Sequence, residues 1–432
     1  MQSTPRVLVV GGGLAGLVAT RHLAAGGVDV TLFERRETVG GRVRTREQDG
    51  YRLDRGFQVL FPAYPAVQRE LDLEKLDLRW FASGATIARP NHRSTLADPL
   101  DQPRSIPKTL LNPDITLGDR LRVVGLWWEL RRTDLETLFD DARGPDESIE
   151  RYLRDRGFSE RFLERFIGPF YGGITLDRSL STSKRVFEYT FKSLAAGGSA
   201  VPAAGMEAIP AQLADHARAV GGTIETDTTV TDVDAATDDG RATVTTTDGA
   251  TYEGDAVVVA TDPPTARDLT GLESIPTDAR GCVTQYYALS TREELDTGKR
   301  LLLNAADDDG PNHVVPHSAV APEYAPDDTA LLSATYLGTP DASDDELAER
   351  TRAALASWYP ERTFDLEVLH TDRIEFAQFD QPPGIYDRLP DVRDPTGPVY
   401  LAGDYTRWSS IQGAMESGRD AAQAVLTELS RS

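Results

Sequence analysis

RVLVVGGGLAGLVATRHLAAGGVDVTLFERRETVGGRVR, Arg6 to Arg44, is the stretch from which the fold is read. Arg6 to Val10 is short, apolar and valine-rich, the pattern of a strand buried on both faces of a parallel sheet. Gly11, Gly13 and Gly16 follow in G-x-G-x-x-G spacing and open a helix expected to run to about Ala25. A second apolar strand, Val28 to Phe33, ends on Glu34. Each glycine meets a different need: Gly11 a tight turn, Gly13 the approach of backbone to a pyrophosphate, Gly16 close packing of helix on strand. The amides that open the helix, at Leu14 and Ala15, and its positive end face two phosphate charges. Glu34 stands where a carboxylate accepts hydrogen bonds from a ribose, with Arg35 beside it. Strand, glycines, helix, strand and acid in register predict a dinucleotide site.

The next residues lengthen the cofactor. Gly40, Gly41 and Arg42 lie just past the acid. A nicotinamide site does not need them, whereas FAD, longer and bent, needs a second backbone approach and gains from a guanidinium near its pyrophosphate. A solvated basic turn at Arg42 and Arg44 is the plain alternative. The run from Gly11 to Arg42 resembles the N-terminal fingerprint of the FAD-containing amine-oxidase and carotenoid-desaturase superfamily, which also includes protoporphyrinogen oxidases. That resemblance implies FAD and an α/β fold with a Rossmann-like, discontinuous FAD domain (1–75, 205–275 and 390–432) and an α+β substrate domain (76–204 and 276–389).

Further segments carry the same resemblance in chain order. Asp54 and Gly56 match an acid-x-Gly step at which backbone passes close to the flavin or substrate. Val201 to Pro210 matches the segment that returns to the cofactor domain. Val230, in Thr229-Val230-Thr231, matches a valine whose backbone bonds the adenine; a core strand valine is the alternative. At the C-terminus, Gly403, Asp404, Gly413, Ala414, Ser417 and Gly418 match a Gly-Asp … Gly-Ala … Ser-Gly motif. Asp404 there accepts from a ribityl hydroxyl. The positive N-terminus of the last helix, near Gln412, Gly413 and Ala414, aims at the flavin edge where negative charge appears on reduction.

Composition narrows the function classes. The chain has 432 residues, enough for two cores. No apolar run approaches a membrane span and no secretory signal precedes the first strand, so a cytoplasmic protein is expected, with peripheral contact to the inner membrane face left open. A single cysteine, Cys282, excludes an internal disulfide, and its distance along the chain from both fingerprints argues against covalent flavin. The six histidines are scattered and suggest no metal site. Asp and Glu number 69 against 46 Lys and Arg, a formal charge of −23, and only five of the basic residues are lysine. Acidic clusters fall in expected loops, at Asp140-Asp141, Asp238-Asp239, Asp307 to Asp309, Asp327-Asp328 and Asp344 to Glu346. This composition suits a surface kept soluble where salt screens charge within a few ångströms, and a halophilic cytoplasm is the expectation. Nucleic acid is not an expected partner.

Between the fingerprints, Pro62, Pro65, Pro90, Pro99, Pro103, Pro107 and Pro113 mark turns and irregular chain. Helical periodicity resumes at Leu117, with Leu121, Val124, Trp127, Trp128, Leu135, Leu138 and Phe139 near one stripe. Either this helix packs into the substrate domain, or its apolar face lies at a pocket mouth or membrane surface, with Arg120, Arg122, Arg131 and Arg132 on its flank. A helix over 148–165 follows, then a break at Phe170-Tyr171-Gly172-Gly173 near a cavity. Helices are expected at Ala208–Ala219, Asp344–Trp358 and from Ile411. A meander is expected over Gly222–Asp234, Arg241–Thr247 and Thr251–Ala260, with turns at Asp239-Gly240 and Asp248-Gly249. Gly281–Ser290, Thr329–Tyr336 and Phe364–Arg373 are expected to form a mixed sheet whose Tyr286, Tyr287 and Tyr336 could face substrate.

No catalytic base stands out. The lysine that amine oxidases of the superfamily place near the flavin has no counterpart in the surroundings of Lys184 or Lys192, so the chain looks closer to the desaturase and protoporphyrinogen-oxidase branches. No second G-x-G-x-x-G unit is visible, which leaves oxygen, a quinone or a carrier protein as electron acceptor. Three functions remain open: a desaturase-like oxidoreductase of a lipophilic isoprenoid, an oxidase of a tetrapyrrole precursor or an amine, and a flavin-binding protein without turnover.

Overall fold

Five parallel strands, gathered from the start, middle and end of the chain, form the sheet under the glycine turn. Their order is Val399–Leu401, Ala256–Val259, Arg6–Val10, Asp29–Phe33, Thr223–Glu225. The computed structural model describes residues 4–96, 114–139, 144–235 and 240–431. Pro99, Pro103, Pro107, Pro113, Asp140-Asp141, Asp238 and Asp239 lie outside the described residues. The first strand is buried almost throughout, as its unbroken apolar run requires. Helix Leu14–Ala25 covers the sheet and packs against the helices Ala208–Ala219 and Ile411–Leu429. The C-terminal helix comes so close that a Cβ on Gly418 would lie 2.2 Å from the carbonyl oxygen of Ala15.

Two expected strands divide between sheets. The run 222–234 gives Thr223–Glu225 to the parallel sheet and Val230–Asp234 to a three-stranded antiparallel meander. The run 251–260 breaks at Asp255, giving Thr251–Gly254 to the meander and Ala256–Val259 to the parallel sheet. Asp255 fixes the break: its carboxylate accepts from the Arg6 amide at 2.7 Å, and its own amide donates to the Arg6 carbonyl at 2.7 Å. Each run is continuous in β propensity, and only a tertiary contact makes it turn.

A mixed seven-stranded sheet forms the opposite wall, in the order Glu367–Phe379, Ala279–Ser290, Thr329–Leu337, His313–Pro316, Leu302–Asn304, Ala85–Arg89, His92–Leu96. The helix Asp344–Trp358 covers its outer face, with Trp358 fully buried. The three sheet tyrosines do not line the large cavity between the sheets. Tyr287 and Tyr336 turn toward this helix, where both hydroxyls meet Thr351 Oγ1 at 2.8 Å. Strand alternation sends Tyr286 to the other face, where its hydroxyl donates to the Asp54 carbonyl.

Helices fill the space between the sheets: Leu117–Arg131, Ile149–Asp155, Glu160–Phe162 continuing through a π-turn at Leu163–Ile167 into Gly168–Thr175, and Lys184–Gly197. The single helix expected over 148–165 is interrupted after Asp155 and restarts at a Ser159 cap. The expected break at Gly172-Gly173 is instead helical. A Cβ on Gly172 would lie 3.1 Å from the Arg178 Cα, so the glycines serve close packing, and the chain turns at Leu176 with φ +54°.

A cavity between the cofactor loops and an aromatic wall

The two fingerprints meet at one cavity of about 1340 Å³, large for a small-molecule pocket. Gly11, Gly13, Leu14, Ala15, Glu34 and Arg35 line it from the first βαβ unit. Gly40, Gly41 and Arg42 line it from the second glycine turn, and Val230, Gly403, Asp404 and Ala414 complete the same end. Gly16, Gly56, Gln412 and Gly413 do not reach the wall. Gly16 and Gly413 are packing glycines, since a Cβ would meet the Gly11 carbonyl oxygen at 2.0 Å and the Trp408 carbonyl oxygen at 2.1 Å respectively. Gly56, at φ +74°, donates its amide to Asp372 at 3.3 Å. Gln412 is fully buried and accepts from the Ala66 amide at 2.9 Å.

The lining geometry follows from the sequence logic. Gly11 takes φ +110° with the Ala260 carbonyl oxygen 2.7 Å from where a Cβ would stand. At Gly13 nothing lies within 4 Å of that position, so its backbone is bare to the cavity. Gly41 faces it, with its own Cβ position 3.3 Å from the Gly13 Cα. Glu34 is buried and anchors both turns of its loop, accepting from the Gly12 amide at 2.8 Å and the Arg36 amide at 3.0 Å. Arg42 pairs with the buried Asp404 at 2.7 Å and donates to the Ala377 carbonyl at 3.2 Å. Burial works to lower the Arg42 pKa, but Asp404 outweighs it and holds the guanidinium above its ordinary value. Ser409 Oγ donates to the other Asp404 oxygen at 2.8 Å. One ion pair thus ties the N-terminal fingerprint to the C-terminal one.

Beyond these loops the wall becomes apolar. Phe158, Phe162, Phe166 and Phe170 stack along the kinked helix with centroids 5.3, 5.6 and 5.4 Å apart and nearly parallel planes. All four line the cavity, as do Phe187 and Phe191 on the neighbouring helix. The fourfold spacing of these phenylalanines is visible in the sequence, and it is the signal that would have found the wall. Among the described residues the carboxylates on the wall are Glu34, Asp262 and Asp404, all at the cofactor end, and no lysine lines it. Lys184 is bound to the Pro145 carbonyl at 2.9 Å and Lys192 to the Thr133 carbonyl.

The helix Leu117–Arg131 contributes Val123, Val124, Leu126 and Trp127 to the cavity wall. Leu126 and Leu130 are buried, and Trp127 lines the interior. Leu117, Leu121, Val124 and Trp128 form an outward stripe, 54–67% exposed. The apolar stripe read from the sequence therefore divides: Trp127 lines the cavity, Leu121, Val124 and Trp128 are exposed, and Leu138 is buried in the core with Leu135 and Phe139 packed against it. Among the described residues no helix is long and apolar enough to cross a membrane.

The sequence profile described as "Flavin containing amine oxidoreductase" matches residues 14–426. The chain belongs to the flavin-containing amine oxidoreductase family. It is 23% identical to the 15-cis-phytoene desaturase of Narcissus pseudonarcissus, over 99% of this chain and 81% of that protein. It is 25% identical to a protein assigned as a zeta-carotene desaturase in Synechococcus elongatus, over 98% of each. Among solved structures, a protein assigned as a protoporphyrinogen oxidase in Exiguobacterium sp. 255-15 shares the fold, with a TM-score of 0.73 and 18% identity over 99% of this chain and 100% of that one.

The cavity fits the flavin that the family implies: the bare backbone at Gly13 and the facing turn at Gly41 leave room for a pyrophosphate that any side chain there would take. Cys282, far from both fingerprints in sequence, is brought by the strand Ala279–Ser290 into the wall of this flavoenzyme. Burial pushes its thiol up to about 11, so it stays protonated at neutral pH.

Asp54 lies behind the cavity and not in it. Its carboxyl, 1% exposed, accepts from Thr45 Oγ1 at 2.6 Å, the Met206 amide at 2.9 Å and the Tyr324 hydroxyl at 2.9 Å. It ties the strand Tyr51–Asp54 to the segment returning at Gly205. Burial pushes it up to about 6 against those three donors. The folded chain therefore holds this proton more tightly than the unfolded one. Its contribution to stability falls as pH rises from the ordinary value of 3.8 to about 6, and stays at the lower level above that. The expected difference is on the order of 3 kcal/mol. From pH 4 to 7 wild type should lose stability relative to Asp54→Asn by an amount of that order; a difference in melting that does not change with pH, or one of the opposite sign, would contradict this role.

Proposed function

We propose that this enzyme removes two hydrogens from an extended, lipophilic isoprenoid, the reaction class of a carotenoid desaturase. The observation that carries the reading is the phenylalanine ladder, four stacked rings from Phe158 to Phe170 that line the same cavity as the cofactor loops. A flexible polyene gains from burial along such a wall, about 25 cal/mol per Å² of apolar surface. Bound FAD supplies the two-electron acceptor for the removal of two hydrogens, and a diffusible oxidant, oxygen, a quinone or a carrier protein, restores it. Gly11, Gly13, Leu14 and Ala15 with Gly40 and Gly41 would cradle its pyrophosphate, Glu34 and Arg35 its ribose, and Val230 its adenine. Asp404, held by Arg42, would meet the ribityl chain, and the helix N-terminus that ends in Ala414 on the wall would favour the negative charge that appears on the reduced flavin. The discontinuous cofactor domain and the substrate domain divide the chain between these tasks. An amine substrate is less favoured, because beyond the cofactor end the described wall offers a cation no carboxylate.

The test is a turnover panel in multimolar salt, as the acidic surface recommends, with isoprenoid polyenes, porphyrinogens and amines offered with oxygen or a quinone. Turnover of polyenes alone supports the reading, and turnover of only amines or porphyrinogens overturns it. The outward stripe on Leu117–Arg131 supports entry from a membrane surface, with Arg132 stacked on Trp128 at 3.3 Å. Leu121→Glu with Trp128→Glu should lower the fraction bound to anionic vesicles at least fivefold, roughly 1 kcal/mol or more, with flavin content unchanged. Equal sedimentation with vesicles would remove the membrane route.

A further inference from the structure

The cofactor end of the cavity carries more positive charge than its carboxylates match. Asp404 is taken by Arg42 at 2.7 Å, Asp262 lies 3.4 Å from Arg35, and Glu34 is bound by two backbone amides. Arg36 and Arg55 stand on the same wall, and among the described residues neither guanidinium forms an ion pair. Two more arginines crowd them. The Arg55 amide donates to the Arg44 carbonyl at 2.8 Å, which extends the hairpin of Thr45–Gln48 and Tyr51–Asp54 and sets Arg44 opposite Arg55. Arg46, two residues on, shares the face of Arg44. Arg36 is drawn to the same place by the Gly41 carbonyl, 3.4 Å from its Nη1. Arg44 Nε is buried and donates to nothing in the protein. Burial pushes the Arg44 pKa down to about 10, and the charges of Arg36, Arg55 and Arg46 add to the fall against the pull of Asp372. Arg55 is lowered as well, by burial first and then by Arg36 and Arg42, with Asp372 again opposing. Asp372 itself accepts from the Gly56 amide at 3.3 Å and meets His370 at 3.3 Å. Gln58 Nε2 bridges the Arg42 and Arg55 carbonyls at 2.9 and 3.1 Å, so the cluster borders the Arg42–Asp404 pair as well as the turn at Gly41. Crowded like charges are unfavourable in the empty protein and are offset when negative charge arrives beside them.

We propose that Arg36, Arg44 and Arg55 form an electrostatic cradle for the reduced flavin, so that FAD bound here is a stronger oxidant than the same site without them would make it. This rests on the cofactor placement above and holds whatever the substrate. Reduction brings two electrons and one proton to the isoalloxazine and leaves it one unit more negative at neutral pH. The diphosphate has the same charge before and after. A cation that meets only the diphosphate therefore holds the cofactor without changing its potential, whereas one whose field reaches the ring favours the reduced form.

The test is the midpoint potential of the bound flavin, read against a reference dye during slow anaerobic reduction by dithionite at one fixed salt concentration. The FAD dissociation constant is measured from flavin fluorescence in the same buffer. Arg55→Gln should shift the reduction equilibrium roughly tenfold toward the oxidised form, about 30 mV lower for two electrons. Arg36→Gln combined with Arg55→Gln should shift it further, and Arg55→Lys, which keeps the charge, should stay near wild type. An unchanged potential in the double variant overturns the proposal and assigns the cluster to the diphosphate, and a double variant that no longer holds FAD does the same. Both results leave the lipophilic cavity standing. A wild type that takes up no FAD overturns the cofactor placement itself.

Discussion

Valine in place of Gly16 yields a chain that no longer retains flavin. A Cβ at this position stands 2.0 Å from the Gly11 carbonyl oxygen and 3.2 Å from the Ala260 side chain, which directly follow the adjacent parallel strands Arg6–Val10 and Ala256–Val259. Neither can retreat without moving the first strand or lifting the helix Leu14–Ala25 off it. Overpacking of a rigid core costs about 1–3 kcal/mol, and a clash with backbone lies at or above the upper end. The same displacement moves the amides of Leu14 and Ala15 and the bare Gly13 backbone out of position for a phosphate. Gly13→Ala is the contrast: nothing lies within 4 Å of its Cβ, so the fold is kept and only the space for cofactor narrows. The flavin-to-protein ratio after gel filtration, with melting temperature in the same buffer, separates them. Gly16→Val should fall in both, and Gly13→Ala in flavin alone. Full flavin in Gly16→Val would show that the glycine is dispensable.

Aspartate at Phe166 sharply slows turnover of the lipophilic substrate and leaves flavin in place. Phe166 is the third ring of the ladder, stacked on Phe162 at 5.6 Å and on Phe170 at 5.4 Å. Its loss removes one aromatic surface from the wall, worth about 2–3 kcal/mol of apolar burial, and puts a hydrated or protonated carboxyl where the chain of the substrate would lie. That corresponds to a roughly 30- to 160-fold drop in kcat/KM. Phe166→Leu keeps most of the apolar surface and should stay within about threefold. Unchanged turnover in Phe166→Asp would mean that the ladder is core and not a substrate wall.

The cofactor end was legible in the sequence because its chemistry is local. A G-x-G-x-x-G turn, its strand and its acid lie within a few dozen residues, and the element limits at Arg6–Val10, Leu14–Ala25 and Ile411–Leu429 follow from apolar period and glycine position. The Arg42–Asp404 pair was not legible, since each residue was read as a direct cofactor contact and nothing local says that they find each other. The substrate wall was missed for a different reason. It is built from residues that look like ordinary core, phenylalanines at helical spacing and a histidine among valines, and only the cavity beside them makes them a surface. The sheet tyrosines show the converse error: aromatic strands suggested a binding wall, but alternation and Thr351 turn Tyr287 and Tyr336 into core. Cys282 was placed by distance along the chain, which a long strand across the cavity makes irrelevant.

The measurement that tests the central claim most directly is a single-turnover mixing of FAD-loaded enzyme with an isoprenoid polyene under anaerobic conditions. Loss of the flavin's visible absorption and gain of the product's longer conjugated chromophore are followed in the same sample. One cavity that holds cofactor and substrate end to end predicts that the two signals move at one rate, with one new double bond formed per flavin reduced, and that Phe166→Asp slows both together. An oxidised flavin that persists with every isoprenoid tried, yet is bleached promptly by an amine or a porphyrinogen, would contradict it.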